Sequence, residues 1–174
     1  QLDGLTLSVT EGTAGTGDDG NLIVTPTAGA ETDLSNVTAG ADIDTTLTGG
    51  AGNETIKAPK GGSTDTITPG AGTDILSGGV GGTNIFVFNA ADASDDDAIT
   101  DLNAAGTTQQ FSVITSEDFT GHIKPNGAAK GTLLTGLNSI VISNTRTATF
   151  GSAQVTGLTL GVTEGTAGTG EAAV

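Results

Sequence analysis

An all-β fold is what this sequence predicts, and three observations carry the prediction. A glycine-rich pattern of nine residues recurs through the middle of the chain, flanking segments alternate apolar and polar residues with period two, and no segment keeps a helical period of apolar residues over ten positions. The material for a core agrees. Hydrophobic residues make up 34% of the 174, with five Phe and no Trp, Tyr, Met or Cys, so burial falls to Leu, Ile, Val and Ala. Small β-branched side chains suit a narrow sheet interior better than a wide helical bundle. A mass of 16.8 kDa corresponds to one domain, or one domain with a short appendage.

In chain order, residues 1–35 form an N-terminal strand region. Within "LDGLTLSVTEGTAGTG", Leu2 to Gly17, the residues Leu5, Leu7 and Val9 alternate with polar or small neighbours, which predicts one strand followed by a Gly-Thr loop. Next, "NVTAGADIDTTLT", Asn36 to Thr48, has glycine and Asp in the manner of the repeats that follow and runs into them in frame. It reads as a decayed further turn, with Asp42 and Asp44 as candidate ligands. The repeats proper are "GGAGNETIK" from Gly49 to Lys57 and, after Ala58 and Pro59, "KGGSTDTIT" from Lys60 to Thr68, "PGAGTDILS" from Pro69 to Ser77 and "GGVGGTNIF" from Gly78 to Phe86. Their eighth positions are apolar, Ile56, Ile67, Leu76 and Ile85, and their sixth positions are Glu54, Asp65, Asp74 and Thr83.

On these residues, the stretch from Gly49 to about Asn103 resembles the haemolysin-type, repeats-in-toxin (RTX) calcium-binding repeat. The resemblance implies a short parallel β-roll over 36–103, flanked by β-strands of a sandwich-like or extended sheet. Each nonapeptide is then half a turn, in which the glycines permit positive φ and the last triplet is a short strand with its apolar residue inward. Ca2+ is the implied cofactor, held between loops two repeats apart by sixth-position oxygens and glycine-loop carbonyls. Residue by residue, this pairs Glu54 with Asp74 and Asp65 with Thr83, in loops containing Gly70, Gly72, Gly79 and Gly81. Glu54 is one methylene longer than Asp, Thr83 brings no charge, and Pro59 interrupts the stacking frame. One or two sites at most are therefore expected.

The exit "NIFVFNAADASDDDAITDLN", Asn84 to Asn103, is similar to the way such arrays end, and Phe86 and Phe88 are expected to close the roll. Asp92, Asp95, Asp96, Asp97 and Asp101 crowd this segment. Either they hold a cation or they point separately into water, since close carboxylates do not all ionise without cost.

Residues 104–154 form a C-terminal β region. "FSVITSEDF" at 111–119 and "GLNSIVISNTRTATFGS" at 136–152 predict strands, the second with Ile140, Ile142 and Thr145 on one side. The final stretch, 155–174, repeats the beginning. "VTGLTLGVTEGTAGTG", Val155 to Gly170, matches Leu2 to Gly17 at 13 of 16 positions, 153 residues apart. Either the chain is cut from a longer protein with a unit of that length, or the terminal strand of one subunit adds to a neighbour's sheet edge, or the segment is a plain duplication with both strands packed in one domain. The first two predict a linear or lattice-like assembly, because a head-to-tail contact that does not close gives an open array.

Five Lys and Arg against 20 Asp and Glu give a net charge of −15, which repels phosphate backbones and anionic membranes and is relieved by a divalent cation. No nucleic acid is expected as a partner, and no apolar run approaches the roughly 20 residues of a membrane span. The absence of Cys is compatible with an extracellular location, because backbone ladders and metal can take the place of disulfides. Beginning at Gln1 with no signal-like segment, the chain reads as a processed or excised piece.

Catalysis finds no support. His122 is the single histidine, no signature surrounds any Ser, and Lys57, Lys60, Lys124, Lys130 and Arg146 are scattered. The 32 Thr suit strands, but Thr55, Thr66, Ile75 and Asn84, at matching places in the repeats, do not form the uniform ladder that ice binding requires. The expected function is a structural one: an extracellular, cell-surface protein that self-assembles into a surface layer or filament, with copies of itself as partner and cell-surface polysaccharide as a further candidate. The alternatives are a spacer or binding module of a large repeat adhesin, and a secretion segment of an exported enzyme.

Overall fold

The computed structural model describes residues 6–10, 20–62, 64–89, 96–115, 117–120, 122–143, 146–159 and 161–164, with the backbone alone at 6–10, 117 and 162–164. Strand accounts for 43% and helix for 3%, so the fold is all-β. Its strands follow one another around a coil. The chain order is β1 Thr6–Thr10, β2 Gly20–Thr25, β3 Glu31–Asp33, β4 Thr38–Ala39, β5 Ile43–Thr48, β6 Thr55–Lys57, β7 Lys60–Gly61, β8 Thr64–Thr68 and β9 Ile75–Ser77. It continues with β10 Thr83–Phe88, β11 Ala98–Ile99, β12 Thr108–Val113, β13 Glu117–Asp118, β14 Lys124–Pro125, β15 Ser139–Ile142, β16 Ala148–Thr149, the single turn α1 Ser152–Val155, and β17 Gly161–Glu164.

Two sheets face each other across the coil. The larger runs β1-β2-β5-β8-β10-β12-β15-β17 and the smaller β14-β11-β9-β6-β3, with the short pairs β4-β7 and β13-β16 at the corners. Every pairing is parallel except β1 on β2. Alternate visits to the two sheets with parallel pairing define a parallel β-solenoid, compatible with a β-roll repeat.

Period-two alternation builds the core as two facing columns. In the large sheet, Val24, Leu47, Ile67, Phe86, Phe111 and Ile140 are successive register partners, all buried. In the small sheet, Ile56, Leu76 and Ile99 stack in the same way. Each side chain therefore covers its counterpart one turn away, and a coil with a thin interior still excludes water.

Two expectations need correction. Phe86 and Phe88 do not close the roll, because β12 pairs β10 on its far side and the coil continues through β15 and β17. The later turns are longer: Gln109 reaches Asn138 across 29 residues, whereas Glu54 reaches Asp74 across 20. All five Phe of the chain fill this part as one linked set, with Phe88 and Phe119 at 5.0 Å, Phe111 and Phe119 at 5.5 Å, Phe119 and Phe150 at 4.8 Å, and Phe86 edge-on to Phe111 at 6.4 Å.

The second correction is a slip of one residue. β10 places Asn84, Phe86 and Phe88 inside and leaves Ile85 at intermediate burial, so Asp65 stands opposite Asn84, not Thr83. Shifting a strand by one residue exchanges its two faces. Burying two Phe in place of Ile85 and Val87 removes more apolar area from water, which decides the frame.

Candidate functional site

Three features concentrate the chemistry of the chain, and all follow from the stacking of turns. The first is a column of carboxylates at the entrance to the small sheet. Glu54, Asp74 and Asp97 immediately precede residues that pair in register, Thr55, Ile75 and Ala98, and all three are buried. Each turns back to the preceding coil. The backbone N–H of Gly29 donates to Glu54 Oε1, that of Glu54 to Asp74 Oδ1 at 2.6 Å, and that of Asp74 to Asp97 Oδ1 at 2.9 Å. Carboxylates thus satisfy backbone donors that the loops leave unpaired. Glu54 Oε2 is buried without a hydrogen-bond partner among the described residues.

The glycine loops beside this column are in direct contact. Ala71 N–H donates to the Gly50 carbonyl at 2.9 Å and Gly52 N–H to the Ala71 carbonyl at 2.7 Å. Gly70 and Gly72 have φ of 98° and 128°, and a Cβ added to them would lie 2.2 Å from the Gly50 oxygen and 1.9 Å from the Gly52 oxygen. Further along, the Gly79 carbonyl accepts from Asn84 Nδ2, while Gly81 N–H donates to Thr107 Oγ1. Loops 49–52 and 69–72 thus meet through backbone hydrogen bonds. The carboxylate column consists of oxygen donors of the kind a hard cation takes. Among the described residues, no three His, Cys, Asp or Glu side chains converge as a metal-holding group.

The second feature is a polar column at the entrance to the large sheet. Thr45, Asp65, Asn84 and Gln109 are register partners on four successive turns, and all are buried. The Asn84 and Gln109 amide nitrogens are committed to the carbonyls of Gly79 and Asp101, at 3.2 and 3.1 Å. Their oxygens and Asp65 Oδ1 therefore remain without partners among the described residues. Burial pushes the Asp65 carboxyl up to about 7, aided by the negative charge of Asp44 and opposed by the Thr45 hydroxyl. When protonated, Asp65 adds a second O–H donor to this column beside the Thr45 hydroxyl.

The remaining predicted ligands are spread out. Asp44 Oδ1 accepts from Thr64 N–H at 3.0 Å, and exposed Asp42 lends its carbonyl to Gly20 N–H at 2.8 Å. Asp101 gathers Ser77 Oγ, Gly78 N–H and Gly79 N–H at 2.7, 3.1 and 2.9 Å, closing the turn before β10. Asp96 meets Lys130 at 3.0 Å at the surface, where that hydrogen bond holds its carboxyl below the usual range. Asp92 and Asp95, like Thr145, lie outside the described residues.

The third feature joins the two ends of the molecule. The repeated sequence supplies β1 at one end of the large sheet, antiparallel to β2, and β17 at the other end, parallel to β15. Ser8-Val9-Thr10 in β1 corresponds to Gly161-Val162-Thr163 in β17. Sequence comparison alone identified the duplication. That both copies become edge strands required the topology. Compared with protein-family models, with curated proteins and with solved structures, the chain matches none.

Proposed function

We propose that this chain is a structural, extracellular protein of the cell surface that self-assembles end to end into filaments or a surface layer. One observation carries the reading: the same sequence forms both terminal strands of the eight-stranded sheet. A solenoid extends by adding turns, and an edge strand presents unpaired N–H and C=O groups that another strand can complete. The net charge of −15 favours separate, soluble chains, so assembly calls for a counter-charge.

Calcium is the counter-ion we propose, with the neighbouring carboxylates of Glu54 and Asp74 as the pair that would hold it, since no three such side chains converge among the described residues. Buried carboxylates one turn apart repel one another unless protonated or paired with a cation. Glu54 Oε2, buried and unpartnered among the described residues, supports that assignment. Negative-stain microscopy of the purified chain tests the function. Polymers are expected in calcium, with loss or shortening under chelator. Dispersed particles in both conditions would exclude assembly, and equal polymers in both would exclude the calcium role. An adhesin spacer, the reading favoured by the 153-residue period, gives dispersed particles and a longer gene with several copies.

A further inference from the structure

β1 and β17 are related by a half-turn about the normal of the large sheet. β17 runs with the sheet and lies at its far end, whereas β1 runs against it and lies at its near end. Val9 stands opposite Leu22, and its counterpart Val162 opposite Ile140. Ile140 is buried and Leu22 packs against the core, so the same side of the pleat faces the interior at both ends. A half-turn that reverses direction, exchanges ends and keeps the inner side inward also keeps the bonded edge. The repeated segment therefore offers one and the same edge to β2 and to β15.

Two consequences follow from that shared edge. One segment cannot lie between two coils as a common middle strand, because both coils would require the same row of N–H and C=O groups. Each segment can, however, take the other's place. The strand residues differ only by Ser8 against Gly161, and a Cβ added at Gly161 meets nothing closer than 3.9 Å.

We infer that copies of this chain join by reciprocal strand exchange, a mechanism that rests on the self-assembly reading. Gly161–Glu164 of one copy pairs antiparallel with β2 of the next, and the displaced β1 of that second copy pairs parallel with β15 of the first. The expected registers are Gly161 with Ile23, Val162 with Leu22 and Thr163 with Asn21 in one direction, and Ser8 with Ser139 and Val9 with Ile140 in the other. Every strand pairing lost within a copy is regained between copies, so the exchange costs little beyond association itself. The contact is head-to-tail, and each copy keeps one donor and one acceptor end free for the next.

Engineered cysteines test this directly, since the chain has none of its own. Within one copy, β2 and β17 are six strand positions apart, about 29 Å at ~4.8 Å per strand, far beyond the roughly 7 Å that a disulfide tolerates. An Ile23→Cys/Gly161→Cys bond therefore forms only between copies. Both positions are exposed, and circular dichroism checks that the variant keeps its β signal. Mild oxidation of assembled variant should give a ladder of covalent oligomers on a denaturing gel, as should the reciprocal pair Ser8→Cys/Ser139→Cys. Polymers by microscopy with only monomer on the gel for both pairs would overturn strand exchange and leave self-assembly standing. Neither polymers nor ladder would overturn both.

Discussion

Asp65 is the residue whose chemistry the coil changes most. Its carboxyl is raised from the ordinary 3.8 to about 7 because burial penalises the charged form. The fold therefore binds this proton more tightly than the unfolded chain does, and between about pH 4 and 7 Asp65 contributes stability that is lost as pH rises. Asp65→Asn should flatten this part of the pH profile and stabilise the protein above pH 7 by roughly 2–4 kcal/mol relative to wild type. Thermal unfolding at pH 5 and pH 8 measures it, and an unchanged difference between the two pH values would refute a protonated Asp65. Gly72 makes a second prediction. With φ of 128° and the Gly52 oxygen 1.9 Å from any added Cβ, Gly72→Ala should cost at least about 2 kcal/mol, whereas Gly127→Ala, at φ 75° in open space, should cost about 1 kcal/mol. Equal shifts in Tm would contradict direct stacking of the loops.

At the scale of the element, the frame of β10 has the clearest consequence. Phe86→Ala should cost about 3–5 kcal/mol and Ile85→Ala under about 1 kcal/mol, the reverse of what a strict nonapeptide frame implies. Chemical denaturation of the two variants decides between the frames. Three repeats were legible because glycine turns and a buried apolar residue recur at one spacing, and Ile56, Ile67 and Leu76 all lie inside. The fourth was not, because one additional residue before Thr83 leaves its glycine pattern intact while exchanging the faces of the strand. The longer turns beyond Phe88 carry no glycine period at all. There the Phe set fills the interior beside β10 and β12, and its five members come from four separate segments of the sequence. The carboxylate column was visible as Glu54 and Asp74, 20 residues apart, while Asp97 joined them through a turn of 23 residues that no fixed period anticipates.

For the whole molecule, the defining property is an unclosed sheet with the same sequence at both ends. The duplication was plain in the sequence, but a strand pattern reveals neither direction nor edge, so the half-turn relation emerged only from the pairing registers. Among the described residues no helix is long and apolar enough to cross a membrane. Proline lacks the N–H that strand pairing uses, and Gly161 N–H is the one that donates to the Asn138 carbonyl, so Gly161→Pro should stop addition of β17 to any sheet while leaving the coil from β2 to β15 in place. Sedimentation velocity of the full chain and of this variant, in calcium and over a range of concentrations, tests the central claim of end-to-end assembly. The account predicts polymers that lengthen with concentration for the full chain and a single slow species for Gly161→Pro. A full chain that stays monomeric throughout, or a variant that polymerises as the full chain does, would contradict it.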